Sequence, residues 1–452
     1  MGSDDRAKLM DSLKANRRSA RGRSASAPDR AQATSPKRRV FDFKELPQVK
    51  QLQMHRAAAD MMGIENPFFR PHDGLAAGTS FIGGNNYDNF ASYNYLGLNG
   101  HPKVNAAAKE AIERFGTSVS ASRIVAGERP FHGELEAALA RIHGVEAAIV
   151  MVSGHATNVT TIGHLMHKGD LVLTDSYVHN SIAEGVRLSG ATRMNFPHDD
   201  LDALEKMLAD HRHKFERVLI AVEGLYSMDG DFPDLKRIVK LKQSYDAWLM
   251  VDEAHSIGVL GETGHGISEH FGIDPTEVEI WMGTLSKTFS SCGGYIAGSK
   301  VLCDYLKVSA PGFVFSVGLS AALAGSAIAS AEILEQEPER VTRLQKNGSL
   351  FLKLAKEAGL NTGPSTGYAV IPVIVGDSAG AATLSNRLLA KGINALPIIF
   401  PAVPEKSARI RFFITSEHTE EQIVRAVETT AAELDAMRDD GTAVDRLIKA
   451  AR

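Results

Sequence analysis

The chain has 452 residues, 44% hydrophobic and 23% charged, an ordinary balance for a globular protein with room for two or three domains. Two cysteines, Cys292 and Cys303, exclude a disulfide framework or a thiolate zinc site and make a reducing, cytoplasmic compartment the expectation. Sixteen histidines at a net charge of −4 include no pair at metalloprotease spacing, so neither a metal nor a nucleic-acid partner is expected.

Charge is unevenly placed along the chain. Residues 1–39 carry eleven Lys or Arg against four Asp, with almost no large apolar side chain after Lys14, and predict a disordered basic extension over 1–40. A solvated tail is its plainest reading, and a dock for an acidic acyl carrier protein is the second. A targeting peptide comes third, with Asp4, Asp5 and Asp11 against it. Within 41–100, residues 41–62 read as one or two amphipathic helices and 89–97 as a strand ending in a turn. His101-Pro102 opens a helix that stops near Gly116.

Seven β-rich runs follow, at 147–152, 171–174, 192–196, 218–222, 248–251, 280–282 and 295–297, separated by helix-length connections. That alternation predicts an α/β fold, a doubly wound and mostly parallel seven-stranded sheet in a large domain over 101–335. Residues 312–331 carry no charge, but Ala, Gly and Ser dominate them, so they suit a helix packed inside a domain or at a subunit interface, with no membrane span. A smaller α+β domain is expected over 336–440, with strands at 368–375, 393–398 and 408–414 and helices at 379–391 and 419–437. Residues 441–452 are expected to fray.

Chemistry concentrates where the buried runs end. Trp248-Leu249-Met250-Val251 precedes Asp252-Glu253-Ala254-His255, and Glu279-Ile280-Trp281-Met282 precedes Gly283-Thr284-Leu285-Ser286-Lys287. Open α/β sheets bind ligands at their carboxyl rim. A carboxylate and an amine emerging there suit pyridoxal phosphate (PLP): the lysine holds the cofactor as a Schiff base and the acid keeps the pyridine nitrogen protonated. Ser153-Gly154-His155-Ala156-Thr157-Asn158 follows another strand and offers a helix N-terminus to a phosphate. Asp175-Ser176-Tyr177-Val178-His179 brings an imidazole to the same rim, and Glu223-Gly224-Leu225-Tyr226-Ser227-Met228-Asp229-Gly230-Asp231 brings a serine.

Together these strings resemble the α-oxoamine synthases, fold-type I PLP enzymes that include serine palmitoyltransferase, aminolevulinate synthase and aminooxononanoate synthase. The likeness covers roughly residues 89–430. It implies that Lys287 carries the Schiff base, Asp252 pairs with the pyridine nitrogen, His179 stacks on the ring, and His255 and Ser227 flank its oxygen. Gly154, His155 and Thr284 are implied as phosphate contacts, and Ser316 as a further one from the neighbouring subunit of a homodimer. Arg411, in Ala408-Arg409-Ile410-Arg411-Phe412, matches the arginine that grips the amino-acid carboxylate. The implied reaction joins a small amino acid to an acyl thioester, from coenzyme A or an acyl carrier protein, and loses carbon dioxide to give an α-amino ketone.

Two positions bear on substrate choice. Tyr93, in Tyr93-Asn94-Tyr95-Leu96-Gly97, matches bacterial serine palmitoyltransferases. Ser122 stands where glycine-specific relatives carry threonine, which favours serine or alanine over glycine. The leader Asn66-Pro67-Phe68-Phe69-Arg70-Pro71-His72 resembles members associated with polyketide synthases, which take acyl groups from carrier proteins. An aminotransferase of the same fold type, or a non-catalytic partner subunit, remains as an alternative.

Overall fold

The computed structural model describes residues 42–439, so the basic extension over 1–40 and the tail over 441–452 lie outside the described residues. Residues 42–57 hold a 3-10 turn, Phe43–Glu45, and the first part of a helix, Pro47–Met61. Asp42 caps the turn by accepting the Lys44 N–H at 3.0 Å, while Phe43, Leu52 and Met54 are exposed.

Strands β1 (Thr79–Ile82) and β2 (Asn85–Asn89) form a hairpin. Its two-residue turn, Gly83-Gly84, has φ of +54° and +87°, the left-handed pair that such tight hairpins require. The strand expected over 89–97 is a correction: β2 stops at Asn89, and Phe90 to Gly97 run irregularly. The reason is where the backbone bonds go. Phe90 N–H donates to Asn394 O (2.9 Å), Phe90 O accepts from Phe413 N–H (2.8 Å), and Tyr95 O accepts from Ser416 N–H (2.8 Å). Partners more than 300 residues away pin the segment, and Phe90, Tyr95, Leu96 and Leu98 are buried there.

The large sheet comprises β3 (Ala147–Met151), β4 (Leu171–Asp175), β5 (Thr192–Phe196), β6 (Val218–Glu223), β7 (Trp248–Asp252), β8 (Ile280–Thr284) and β9 (Gly294–Gly298). Their order is β3-β9-β8-β7-β6-β4-β5, parallel throughout except that β9 runs against both neighbours. Strands β4, β6, β8 and β9 are buried at every residue, as strands covered on both faces must be. Alternate residues divide between two cores. Ile149, Val172, Leu219, Met250, Met282 and Ile296 pack with helices Gly154–Leu165, Asn180–Ser189 and Lys300–Ser309. Val150, Leu173, Ile220, Val251, Trp281 and Tyr295 share the other core with helices Pro130–His143, Leu201–His211, Leu235–Ser244 and Ala321–Gln336.

The Ala-rich stretch resolves into a short turn, Pro311–Val314, and helix Ala321–Gln336, whose Ala324, Ala327, Ser330 and Ala331 are buried. Small side chains there let it lie close against helix Pro102–Phe115, where a Cβ on Gly325 would come within 2.8 Å of Ala107 O. No helix among the described residues is long and apolar enough to cross a membrane.

The C-terminal part contains β10 (Val370–Gly376), β11 (Ile393–Asn394), β12 (Leu396–Ile398) and β13 (Ala408–Phe413), with helices Ser378–Ala390 and Glu420–Asp439. Strands β10, β13 and β12 make an antiparallel sheet in that order. The single strand expected over 393–398 is therefore two. Strand β11 pairs in parallel with β2 and joins the N-terminal hairpin, held by Asn394 Nδ2 donating to Asn89 Oδ1 at 3.0 Å, and Ala395 breaks the run before β12 turns to β13.

Candidate active site

Five parallel strands deliver their following loops to one carboxyl rim, and the β8–β9 link returns along the same rim. The register sets which side chains are neighbours: Glu223 ends β6 opposite Asp252 at the end of β7, and Asp252 lies opposite Met282 of β8. Lys287 follows five residues later in the link, which Leu285 N–H closes onto Gly293 O at 2.9 Å. Because β9 turns back antiparallel, the lysine stays at the rim and no crossover helix carries it away.

Asp252 is buried and doubly held, its Oδ1 accepting from Ala254 N–H (3.0 Å) and its Oδ2 from Asn158 Nδ2 (2.8 Å). Burial pulls the Lys287 amine down to about 8, and the charges of Asp252 and Glu223 work against that pull. Lys287 Nζ sits 5.8 Å from the centre of the Tyr93 ring. Burial pushes the Glu223 carboxyl up to about 8, with the Asp252 charge adding to it. Buried His255 takes Tyr95 Oη at 2.7 Å on its Nδ1. Burial, and then the charges of Lys287 and Arg411, keep its imidazole neutral.

His179 caps helix Asn180–Ser189 and is open to the cleft, its ring 6.2 Å from that of His155. Its backbone N–H donates to Glu223 Oε1 at 2.6 Å, while Ser227 N–H donates to Glu223 Oε2 at 3.3 Å. One buried carboxyl thus ties two rim loops together. Arg411, in the middle strand of the small sheet, donates from its NH1 to Ser227 O (2.8 Å) and packs over Phe413 (4.5 Å to the ring centre). Its Nε is buried with no hydrogen-bond partner. Tyr93 and His255 border the same Phe413 ring, at 4.7 and 6.4 Å between centres.

The phosphate end is a matter of space. A Cβ on Gly154 would stand 2.8 Å from Thr284 Oγ1, so glycine is what lets the end of β8 approach the first turn of helix Gly154–Leu165. The first intrahelical bond is Thr157 N–H to Ser153 O (2.9 Å), which leaves the N–H groups of Gly154 and His155 ahead of it. A phosphate fits an N-terminus of this kind. With an unpartnered arginine nitrogen, a buried amine and a held carboxylate nearby, the residues present fit PLP.

Lys287, Asp252, His179, His255, Ser227, Gly154, His155, Thr284, Arg411 and Tyr93 are connected through these contacts. Ser122 and Ser316 form a second group, lining a hollow of about 510 Å³ with Ser120, Ile124, Val125 and Phe315. Sequence reasoning gave no role to Glu223, Asn158, Ser181 or Tyr95. Glu223 carried the same signal as Asp252, an acid at the end of a buried strand. The other three sit on helices or irregular chain where no local pattern marks them.

Comparison with known proteins fits this geometry. Residues 86–429 match the family described as aminotransferase class I and II. The 8-amino-7-oxononanoate synthase 1 of Bacillus velezensis is 40% identical over 347 residues, 77% of this chain and 88% of its own. The solved serine palmitoyltransferase of Sphingomonas wittichii superposes with a TM-score of 0.83 at 28% identity, over 88% of this chain and 99% of its own. A solved serine palmitoyltransferase with PLP as an internal aldimine does so equally well, at 0.83 and 28%. The chain belongs to the class I and II aminotransferase family, as a PLP-dependent α-oxoamine synthase of fold type I, a C-acyltransferase.

Proposed function

We propose that this enzyme condenses a small L-amino acid, alanine ahead of serine, with an acyl thioester, releasing a thiol and carbon dioxide and forming an α-amino ketone. Its strongest support is Arg411. A half-buried arginine whose Nε is itself buried and unpartnered calls for an anion. The carboxylate of an amino acid is the anion this chemistry brings, gripped by two parallel N–H groups. Alanine is favoured through the relatives' product: in an 8-amino-7-oxononanoate the amine-bearing carbon carries one methyl group beside a ketone, the fragment alanine leaves on decarboxylation. Ser122 lines the same hollow as Ser316, and from there, reaching a neighbouring copy's site, a serine in place of threonine would leave room for that methyl.

Bound PLP supplies an electron sink for the pair released when a bond at the substrate's Cα breaks. Asp252 would hold its ring nitrogen, His179 its face, Ser227 and His255 its ring oxygen, and Gly154, His155 and Thr284 its phosphate. Lys287 Nζ, with a pKa drawn down to about 8, is in part neutral near neutrality and can take the Cα proton and later return one. Arg411 holds the carboxylate, and so decides which Cα bond faces the sink. A homodimer completes the reading, with Ser316 reaching a neighbour's phosphate. The exposed apolar side chains Ile124, Val125, Phe315 and Val317 around that hollow support a second copy as its cover.

A mass-spectrometric screen of alanine, serine and glycine against acyl-coenzyme A and acyl-carrier thioesters tests this. Free thiol with an α-amino ketone, alanine fastest, is the expected result. A keto acid formed without thiol release overturns it in favour of transamination.

A further inference from the structure

The hydrogen bonds behind His179 have directions that its neighbours dictate. Asn158, on helix Gly154–Leu165, is 1% exposed. Its Nδ2 stands 2.8 Å from Asp252 Oδ2 and 2.9 Å from Ser181 Oγ. A flipped amide would set its oxygen against a carboxylate oxygen, two acceptors at bonding distance, so the NH2 group faces Asp252. Both of its hydrogens are then used, and Oδ1 is left buried with no partner. A buried carbonyl without a donor is unfavourable, so the two donated bonds are what this asparagine contributes. Ser181 Oγ, accepting from Asn158, has its own proton free for His179 Nδ1 at 2.7 Å. The Ser181 backbone N–H, which can only donate, reaches the same nitrogen at 3.3 Å. Two donors on one imidazole nitrogen require a lone pair there.

We infer that Asn158 and Ser181 are positioning residues that hold His179 Nδ1 as an acceptor, keep the ring proton on Nε2, and tie the imidazole's orientation to the carboxylate of Asp252. The inference rests on the proposed reading, in which His179 faces the reacting molecule. The His179 main chain is held at the neighbouring strand end, that of β6, by donating to Glu223 Oε1 at 2.6 Å. The imidazole therefore meets the cleft as a neutral ring with a donor at Nε2. It cannot pick up a proton at Nδ1 without breaking the relay to Asp252.

Nitrogen NMR on the purified full chain with labelled histidine, with and without added PLP, tests this directly. The His179 signals are assigned by their loss in His179→Gln. The expected spectrum at neutral pH has an unprotonated Nδ1 and a protonated Nε2. Ser181→Ala leaves only the 3.3 Å backbone N–H on Nδ1, so that nitrogen should stay unprotonated while its signal moves downfield on losing the hydroxyl donor, and Ser181→Thr, which keeps a hydroxyl, should restore the parent shift. In the loaded enzyme Ser181→Ala should lower kcat about tenfold, the scale of one lost hydrogen bond, at unchanged KM for the thioester. A proton on Nδ1 in the unmodified chain overturns the inference, and that spectrum needs no variant to fold. So does an Nδ1 signal in Ser181→Ala that is unchanged from the parent's, which would mean that the hydroxyl does not donate there. The tautomer is read independently of product. A correct tautomer without ketone formation would sink the proposed reaction and leave the relay standing, and ketone formation with the wrong tautomer would do the reverse.

Discussion

Along the rim of the large sheet, Asp252, Glu223 and Thr284 each end a strand whose three preceding residues are buried, whereas Arg411 comes from the middle of β13 in a small antiparallel sheet. The rim residues take their places from strand register alone: opposite Asp252 there is Glu223 on one side and Met282 on the other. Arg411 takes its place from a tertiary meeting, its NH1 on Ser227 O and its neighbour Arg409 in a buried ion pair with Asp229. A side chain set by register can be moved only by breaking the sheet. One set by a tertiary contact depends on how the 223–231 loop and β13 come together. The rim should therefore govern whether chemistry occurs, and Arg411 how well the amino acid is held.

Lys287→Ala is the most severe way to break that division. It removes the amine that accepts the Cα proton, so turnover should fall by at least about 10³-fold, near the upper part of what a positioned acid–base group supplies. Borohydride reduction and peptide mass mapping should find the PLP adduct at residue 287 in the unmodified chain and none in the variant. Residual turnover within tenfold of normal would show that the rim does not carry the proton transfer.

Arg411→Lys probes the other side. It keeps a charge and loses the planar fork, and a hydrogen bond to a charged group contributes about 1.5–3 kcal/mol. KM for the amino acid should rise on the order of 10- to 100-fold, with KM for the thioester little changed. A loss confined to kcat would mean that Arg411 acts in the chemical step, and the contrast between the two regions would fail.

What could be read in the sequence follows the same line. Most of the large-sheet strands were legible because they are short apolar runs buried on both faces, whereas β5, Thr-Arg-Met-Asn-Phe at the sheet's edge, is buried only at Phe196; Asp252 and Lys287 were legible because they follow such buried runs. The N-terminal hairpin was missed although Gly83-Gly84 marks its turn, because its strands read Thr-Ser-Phe-Ile and Asn-Asn-Tyr-Asp-Asn, with little apolar content to signal them. The irregular path of Phe90 to Gly97 and the split at Ala395 were not legible, since both are decided by pairing across some 300 residues. Asn158 and Ser181 escaped for another reason. Their importance lies in which way a proton points, and that is set where two helices meet the end of β7.

Glu223→Gln sharpens the comparison within the rim. The folded chain keeps the Glu223 proton up to about pH 8, while the unfolded carboxyl releases it near 4.5. Across that window the unfolded state binds fewer protons, so stability falls as pH rises. The carboxyl's contribution is complete below about 4.5 and lost above about 8. Melting curves of the PLP-free chain should show this decline in the parent and a smaller one in Glu223→Gln, which cannot titrate. Equal slopes would mean that Glu223 is ionised in the folded state and that Asp252 has a charged neighbour.

Asn394→Ala is the mildest test, and it asks whether the β2–β11 junction serves the fold alone. The variant loses one buried bond to Asn89 Oδ1, which still accepts from Ala91 N–H at 3.3 Å. A stability loss of about 1 kcal/mol is expected, for a fall in Tm of roughly 2 °C in a chain of this size. Because Phe90, Tyr95 and Tyr93 follow directly from this junction, any slackening there has a short path to Lys287 and His255. The expected kcat is nevertheless that of the parent, since Phe413 N–H and Ser416 N–H still hold Phe90 O and Tyr95 O. A kcat that drops more than fivefold at full folding would show that the aromatic segment depends on the N-terminal hairpin for its position, and that the rim is less self-sufficient than its register suggests.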